Sequence, residues 1–167
     1  MGWAALAEKA GHCAWLMKQS GCRGIAIDFE SYGAAQFRYA PGKDSPFVEA
    51  SQLARRRGAQ FVQAVAKSGR NDWKRRISVG RSSNNDIIFR HESVSKLHAY
   101  FYVRVTRKKL RKIEELVLVD AGSSNGTLRN GLTVSQDPEK AKPLQFGDRI
   151  AFGEVDCQYC DAGTLYR

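Results

Sequence analysis

Residues 120–131 read Asp120-Ala121-Gly122-Ser123-Ser124-Asn125-Gly126-Thr127-Leu128-Arg129-Asn130-Gly131. Two Asn-Gly pairs bracket a stretch of three residues. Asn-Gly readily takes the positive φ that tight hairpin turns need, so 127–129 reads as a very short strand held between two turns. Downstream, Gly147-Asp148 marks another turn, followed by apolar segments at 149–152 and 155–159. Upstream, short strands are predicted at 61–65, 77–79, 87–89, 99–105 and 116–119, with a polar stretch over 67–76. Many short strands separated by turn signals are the pattern of an antiparallel sandwich.

The first 58 residues have a different style. Trp3, Leu6, Ala10, Cys13 and Met17 recur at steps of three and four, which predicts a helix over 2–19 with Gly21 as its stop. Residues 24–30 alternate through Ile25, Ile27 and Phe29, and 35–39 through Ala35, Phe37 and Tyr39, with Ser31-Tyr32-Gly33 as a hairpin turn between them. Pro41-Gly42-Lys43-Asp44-Ser45-Pro46 is loop chemistry, and 47–57 is expected as a short helix ending in Arg55-Arg56-Arg57. The expected organisation is therefore an α+β segment over 1–58, with no assignable role, and a sandwich over 59–167.

The chain has 167 residues and a formal net charge of +10. Residues 1–58 hold 8 basic and 5 acidic side chains and residues 59–167 hold 19 and 12, so most of the excess lies in the sandwich. A basic surface favours an anionic partner without choosing among nucleic acid, acidic lipid and phosphoprotein. Cys13, Cys22, Cys157 and Cys160 are too few for a disulfide scaffold, which points to a reducing, cytoplasmic setting. Glu8-Lys9 breaks the early apolar run, Leu6 stands where a myristoylation signal wants Ser or Thr, and no stretch reaches 18 apolar residues. A membrane association is not expected.

Three separated blocks carry a family resemblance. The first is Gly80-Arg81, Asn85-Asp86-Ile87 and Val94-Ser95-Lys96-Leu97-His98-Ala99. The second is 120–127 with Asn130-Gly131, and the third is Leu144-Gln145-Phe146-Gly147-Asp148-Arg149-Ile150-Ala151-Phe152-Gly153. In order, spacing and residue type they resemble the forkhead-associated (FHA) domain, over about residues 59–165. The resemblance implies an all-β sandwich of two antiparallel sheets, FHA/SMAD-like, here preceded by the small α+β segment. It implies a phosphothreonine-dependent peptide-binding module in kinase-linked signalling, with no catalysis and no cofactor. Carried over by position, Arg81, Ser95 and Ser124 match the phosphate contacts and Lys96 a further one. Asn125 matches the residue that holds the peptide main chain. Gly80 matches a glycine that shapes the approach to the arginine, and His98 a buried histidine that orients the serine loop. Similar domains also read a residue three places after the phosphothreonine with variable loops, and Ser93 occupies one such position. The implied partner is a phosphothreonine-containing protein, a Ser/Thr kinase or its substrate.

The residues argue the same chemistry independently. A phosphothreonine carries close to two negative charges and several acceptor oxygens. A guanidinium grips two such oxygens at once, so Arg81, at a strand end before a turn, is a natural receptor. Ser95 and Ser124 supply hydroxyl donors, and Asn125 supplies a donor and an acceptor suited to a peptide backbone.

Other readings weigh less. Cys157 and Cys160 are spaced as Cys-x-x-Cys, but a spacing of three in a strand puts them on opposite faces, so partly buried thiols are expected and no metal. His12, His91 and His98 have no metal-ligand spacing. The run 104–112 holds six basic residues but reads as a solvated hairpin, so nucleic acid is the lesser partner. An enzyme would need a nucleophile–base pair, a phosphate loop or a metal cluster in 1–58, and none stands there. An FHA-like scaffold indifferent to phosphate would not need Arg81, Ser95 and Asn125 together.

Overall fold

The computed structural model describes residues 5–6, 23–28, 60–108 and 111–161. Among these residues there is no helix. The strands are β1 (Ala5–Leu6), β2 (Gly24–Asp28), β3 (Gln60–Ala64), β4 (Arg76–Gly80), β5 (Ile87–Ile88), β6 (Ala99–Lys108), β7 (Arg111–Asp120), β8 (Thr127–Arg129), β9 (Leu132–Thr133), β10 (Arg149–Phe152) and β11 (Val155–Cys160). They form two sheets, one of order β1-β3-β2-β11-β10-β8-β9 and one of order β5-β4-β6-β7. Period-two alternation sets the core. Val155, Cys157 and Tyr159 of β11 and Ile150 and Phe152 of β10 face inward, against Val79, Phe89, Phe101 and Leu118. Phe152 is the centre, its ring 5.6 Å from Phe89, 6.5 Å from Phe101 and 5.9 Å from His98.

The all-β architecture agrees with the sequence, and several details differ from it. β4 and β5 pair in parallel, Val79 with Ile87 and Gly80 with Ile88, so the second sheet is not purely antiparallel. The link of six residues doubles back because Asn85 N–H bonds the Ser82 carbonyl at 3.2 Å and the Asn85 side chain bonds it again at 2.9 Å. β9 was not foreseen. It is the return strand of the Asn130-Gly131 turn, with Arg129 opposite Leu132.

The largest correction concerns the first 58 residues. β2 is strand as expected, but it lies inside the sandwich, paired on one edge with β3 and on the other with β11. Its Ile25 is fully buried in the core. Both edges being taken, β2 cannot form the expected hairpin with 35–39, and the sandwich reaches across the 58/59 boundary. Alternation reveals a strand but not its partner, because pairing is decided by residues distant in sequence. Ala5–Leu6 is a strand on the outer edge of β3, inside the stretch expected to be helical. Backbone groups at a sheet edge demand partners, and that demand overrides a local spacing pattern. The rest of 2–19, the 35–39 strand, the 41–46 break and the 47–57 helix lie outside the described residues.

Cys157 and Cys160 are free and buried, on opposite faces of β11 as their spacing implied. Burial pushes the Cys160 thiol up to about 11. In the basic run, Arg104 is not part of a solvated hairpin. Its guanidinium holds Glu115 at 2.8 Å and reaches the carbonyls of Pro138, Glu139 and Ala141.

Beneath the β4–β5 turn sits a buried carboxylate. Asp86 accepts from Ser68 N–H at 2.8 Å, Ser68 Oγ at 2.9 Å, Ser78 N–H at 2.9 Å and Asn71 Nδ2 at 3.2 Å, and Lys67 Nζ lies 2.8 Å away. It fastens the 65–75 connection to β4. Burial alone would push its pKa up, but Lys67 and the N–H donors outweigh that and hold it far below the usual carboxylate range.

Candidate functional site

Arg81 follows directly on β4. Its N–H bonds the Ser95 carbonyl at 2.9 Å, and its Nε bonds the Val94 carbonyl at 3.1 Å. The residue is otherwise exposed. Ser82 N–H and Asn85 Nδ2 both bond the Lys96 carbonyl, at 3.2 and 2.7 Å. The two loops thus approach so closely that a Cβ on Gly80 would run into the Lys96 carbonyl oxygen and come within 2.8 Å of Asn85 Nδ2. Gly80 is glycine because no side chain fits there, which is how it sets the path to Arg81.

Ser95 is joined to the third loop. Its Oγ accepts Ser124 N–H at 3.0 Å. With that lone pair used, the Ser95 hydroxyl proton is available to an acceptor outside the protein. Asn125 Nδ2 donates to the Ser93 carbonyl at 2.8 Å, so Asn125 ties the same two loops while its Oδ1 stays uncommitted. Ser124, Asn125 and Lys96 are exposed, and Ser95 is half-buried. The structure therefore brings Arg81, Ser95, Lys96, Ser124 and Asn125 to one rim of the sandwich.

His98 is fully buried under that rim. Ser95 N–H donates to its Nδ1 at 3.0 Å, so Nδ1 carries no proton, and Nε2–H donates to the Gly126 carbonyl at 3.0 Å. One neutral imidazole spans both serine-bearing loops. Burial lowers its pKa below 6.5, against smaller opposing pulls from Gly126 and Asp120. A folded-state value below the unfolded one means that the unfolded chain binds the extra proton. Its stabilising role is therefore complete above about pH 6.5 and declines as the pH falls below it. Nitrogen NMR shifts of the ring should show the neutral Nε2–H tautomer at pH 6; an imidazolium signal there would refute the assignment.

Two supports went unread in the sequence. Asp120 is buried and accepts from Gly122 N–H at 2.8 Å, Ser123 N–H at 3.0 Å, and the Ser123 and Thr127 hydroxyls at 2.6 Å each. Burial opposes its charge, but the Ser123 and Thr127 bonds prevail and lower its pKa. The Asp-x-Gly-Ser order was the available signal, since Asp bonding the backbone two residues on is common turn chemistry. The second support is Gly153-Glu154, whose N–H groups bond the Gly126 carbonyl at 3.1 Å and Ser93 Oγ at 2.9 Å. Ser93, which was uninformative in the sequence, is consequently only 7% exposed and internal.

The sequence model of the family described as FHA domain matches residues 77–153. The match marks residues 77–153 as FHA-like. All the rim residues lie inside the match, whereas β2, β3 and β11 lie outside it. The human protein "Angiogenic factor with G patch and FHA domains 1" is 30% identical over 103 residues, which is 53% of this chain and 14% of that protein. Its mouse counterpart is 33% identical over 86 residues, 44% of this chain and 11% of that protein. The chain thus matches a small part of these relatives. Among solved structures, the yeast Dun1 FHA domain, in complex with a doubly phosphorylated peptide derived from Rad53, is 22% identical with a TM-score of 0.45, covering 83% of this chain and 74% of that one. The MEK1 FHA domain is 15% identical with a TM-score of 0.48, covering 90% and 98%.

Proposed function

We propose that the FHA rim binds phosphothreonine in a partner protein and carries out no chemistry on it. The observation that supports this best is the three-loop junction in which Arg81 N–H bonds the Ser95 carbonyl at 2.9 Å and Ser124 N–H bonds Ser95 Oγ at 3.0 Å. That junction sets the loops that carry the Arg81 guanidinium, the Ser95 and Ser124 hydroxyls and Lys96 side by side. Arg81 grips two phosphate oxygens, Ser95 and Ser124 donate to the phosphate, and Lys96 adds charge. Asn125 bonds the peptide main chain with the groups it has free. Gly80 and His98 hold the loops and touch no ligand. Hydrogen bonds to a charged group contribute about 1.5–3 kcal/mol each. Three of them, less the entropy of docking a peptide, support a Kd of roughly 1 µM.

The partner in this reading is a Ser/Thr kinase or its substrate, and the setting is cytoplasmic signalling. The threonine methyl adds apolar contact that serine lacks. Calorimetric titration with one peptide in phosphothreonine, phosphoserine and unmodified forms should give binding in that order, with the unmodified form silent. Equal binding of all three would sink the proposal.

A further inference from the structure

Along one side of the sandwich the two sheets stand apart. One wall there is β9, the last strand of its sheet. The other is a strap over 137–144 that follows the edge of β7, with Leu144 N–H on the Leu116 carbonyl at 2.8 Å and Pro143 bridged to Val117. Between them lies a cleft of about 360 Å³. Leu118, Val134 and Ala141 give it an apolar floor, and Leu132 stands on its lip, 72% exposed. Lys140 and Lys142, both exposed, stand on its rim, Lys140 only loosely paired with Asp137 of the strap at 3.8 Å. Arg129 also lines it but is held by Asp148 at 2.6 Å.

The walls are fixed. Arg104 Nη1 donates to the carbonyls of Pro138, Glu139 and Ala141 at 3.2, 3.0 and 3.0 Å, so the strap is clamped from behind. Val134 N–H bonds the Thr127 carbonyl at 2.9 Å, which holds β9 in place. The Ser135 end of the cleft lies beside the start of the loop that carries Ser124 and Asn125, because Asp120 N–H bonds the Ser135 carbonyl at 3.0 Å.

We propose that this cleft docks an acidic segment of a partner protein bearing one aliphatic side chain. The aliphatic group lies on the apolar floor against Leu132, and flanking carboxylates meet Lys140 and Lys142. Charge selects this occupant: the chain carries +10, so a second copy would set cations against cations. A nucleic-acid backbone would satisfy the lysines and leave the apolar floor unused. The adjacency to the rim lets one partner occupy both places, but the inference stands on the cleft alone.

The test uses the full chain labelled with ¹⁵N and two acetylated pentapeptides, Asp-Glu-Leu-Glu-Asp and Lys-Lys-Leu-Lys-Lys. The acidic peptide should shift the amides of 132–135 and 140–142, and bind about fivefold or more tightly than the basic one. In the Lys140→Glu, Lys142→Glu double variant the preference should invert; both side chains are exposed, so the core is untouched. No shift at millimolar acidic peptide, or an equal response to both peptides, overturns the inference. So does a shift of the same amides on concentrating the protein alone, which would assign the cleft to a second copy. A separate phosphothreonine titration distinguishes the two sites, since either can fail while the other holds.

Discussion

Arg81→Ala is expected to weaken phosphothreonine-peptide binding by about a hundredfold or more, while the protein stays folded. Two charge-assisted bonds leave with the guanidinium, and at about 1.5–3 kcal/mol each they exceed the 2.7 kcal/mol or so that a hundredfold represents. The folded state loses one hydrogen bond, Nε to the Val94 carbonyl at 3.1 Å, on an exposed side chain, worth about 1 kcal/mol or less. Arg81→Lys should recover only part of the binding, because an ammonium keeps the charge without the fork. Calorimetry for binding and circular dichroism for folding separate the effects. A variant that binds normally would remove Arg81 from the site, and one that unfolds would make it a structural residue. If the domain instead bound nucleic acid through its basic excess, binding would weaken steeply with salt and ignore this substitution.

Asp86→Ala should do the opposite, destabilising the whole domain by about 3–5 kcal/mol. The carboxylate is fully buried, and its removal strands the Ser68 and Ser78 N–H groups and leaves the Lys67 ammonium with Asn71 Oδ1 alone as its side-chain partner. Asp86→Asn should help little. Ser78 Oγ already accepts from Asp86 N–H at 3.0 Å, so the partners around the carboxylate are donors and an amide NH2 would face them. For a domain of this size the loss is about 15–30 °C in melting temperature. The pH dependence follows the lowered pKa. A carboxylate whose folded value is depressed contributes fully above its unfolded value of 3.8 and loses that contribution as the pH falls through the folded one. Asp120 and Asp148 are shifted the same way, so unfolding should set in below about pH 4 and be shallower in the Asp86 variants. A melting temperature within a few degrees of the parent would show that the network contributes little.

The readable part of this fold was the local part. Strands at 76–80, 149–152 and 155–160 follow from alternating apolar residues between turns, and the Asn130-Gly131 turn follows from its residues, with Asn130 at φ 51 and Gly131 at φ 79. The seat of β2 was not readable, because Ile25 and Ile27 alternate identically whether the neighbour is a hairpin mate or a strand 130 residues on. At the site, residue types announced Arg81, Ser95 and Asn125, but not the scaffold beneath them. Asn85 acts through carbonyls that only folding brings near, and Ser93 is internal because Gly153 leaves no room above it, a Cβ there lying 2.7 Å from Ser93 Oγ. Arg104 was misjudged for the same reason: its partners Pro138, Glu139 and Ala141 lie more than thirty residues away.

The seat of β2 also sets a timetable for synthesis. Gly24–Asp28 is made about 130 residues before one of its two flanking strands, Val155–Cys160. At about 5–20 residues per second the wait is several seconds or more, during which one margin of β2 stays open to any extended chain nearby. A nascent chain arrested short of β11 therefore keeps a sheet edge unpaired, and β11 is the latch that closes it.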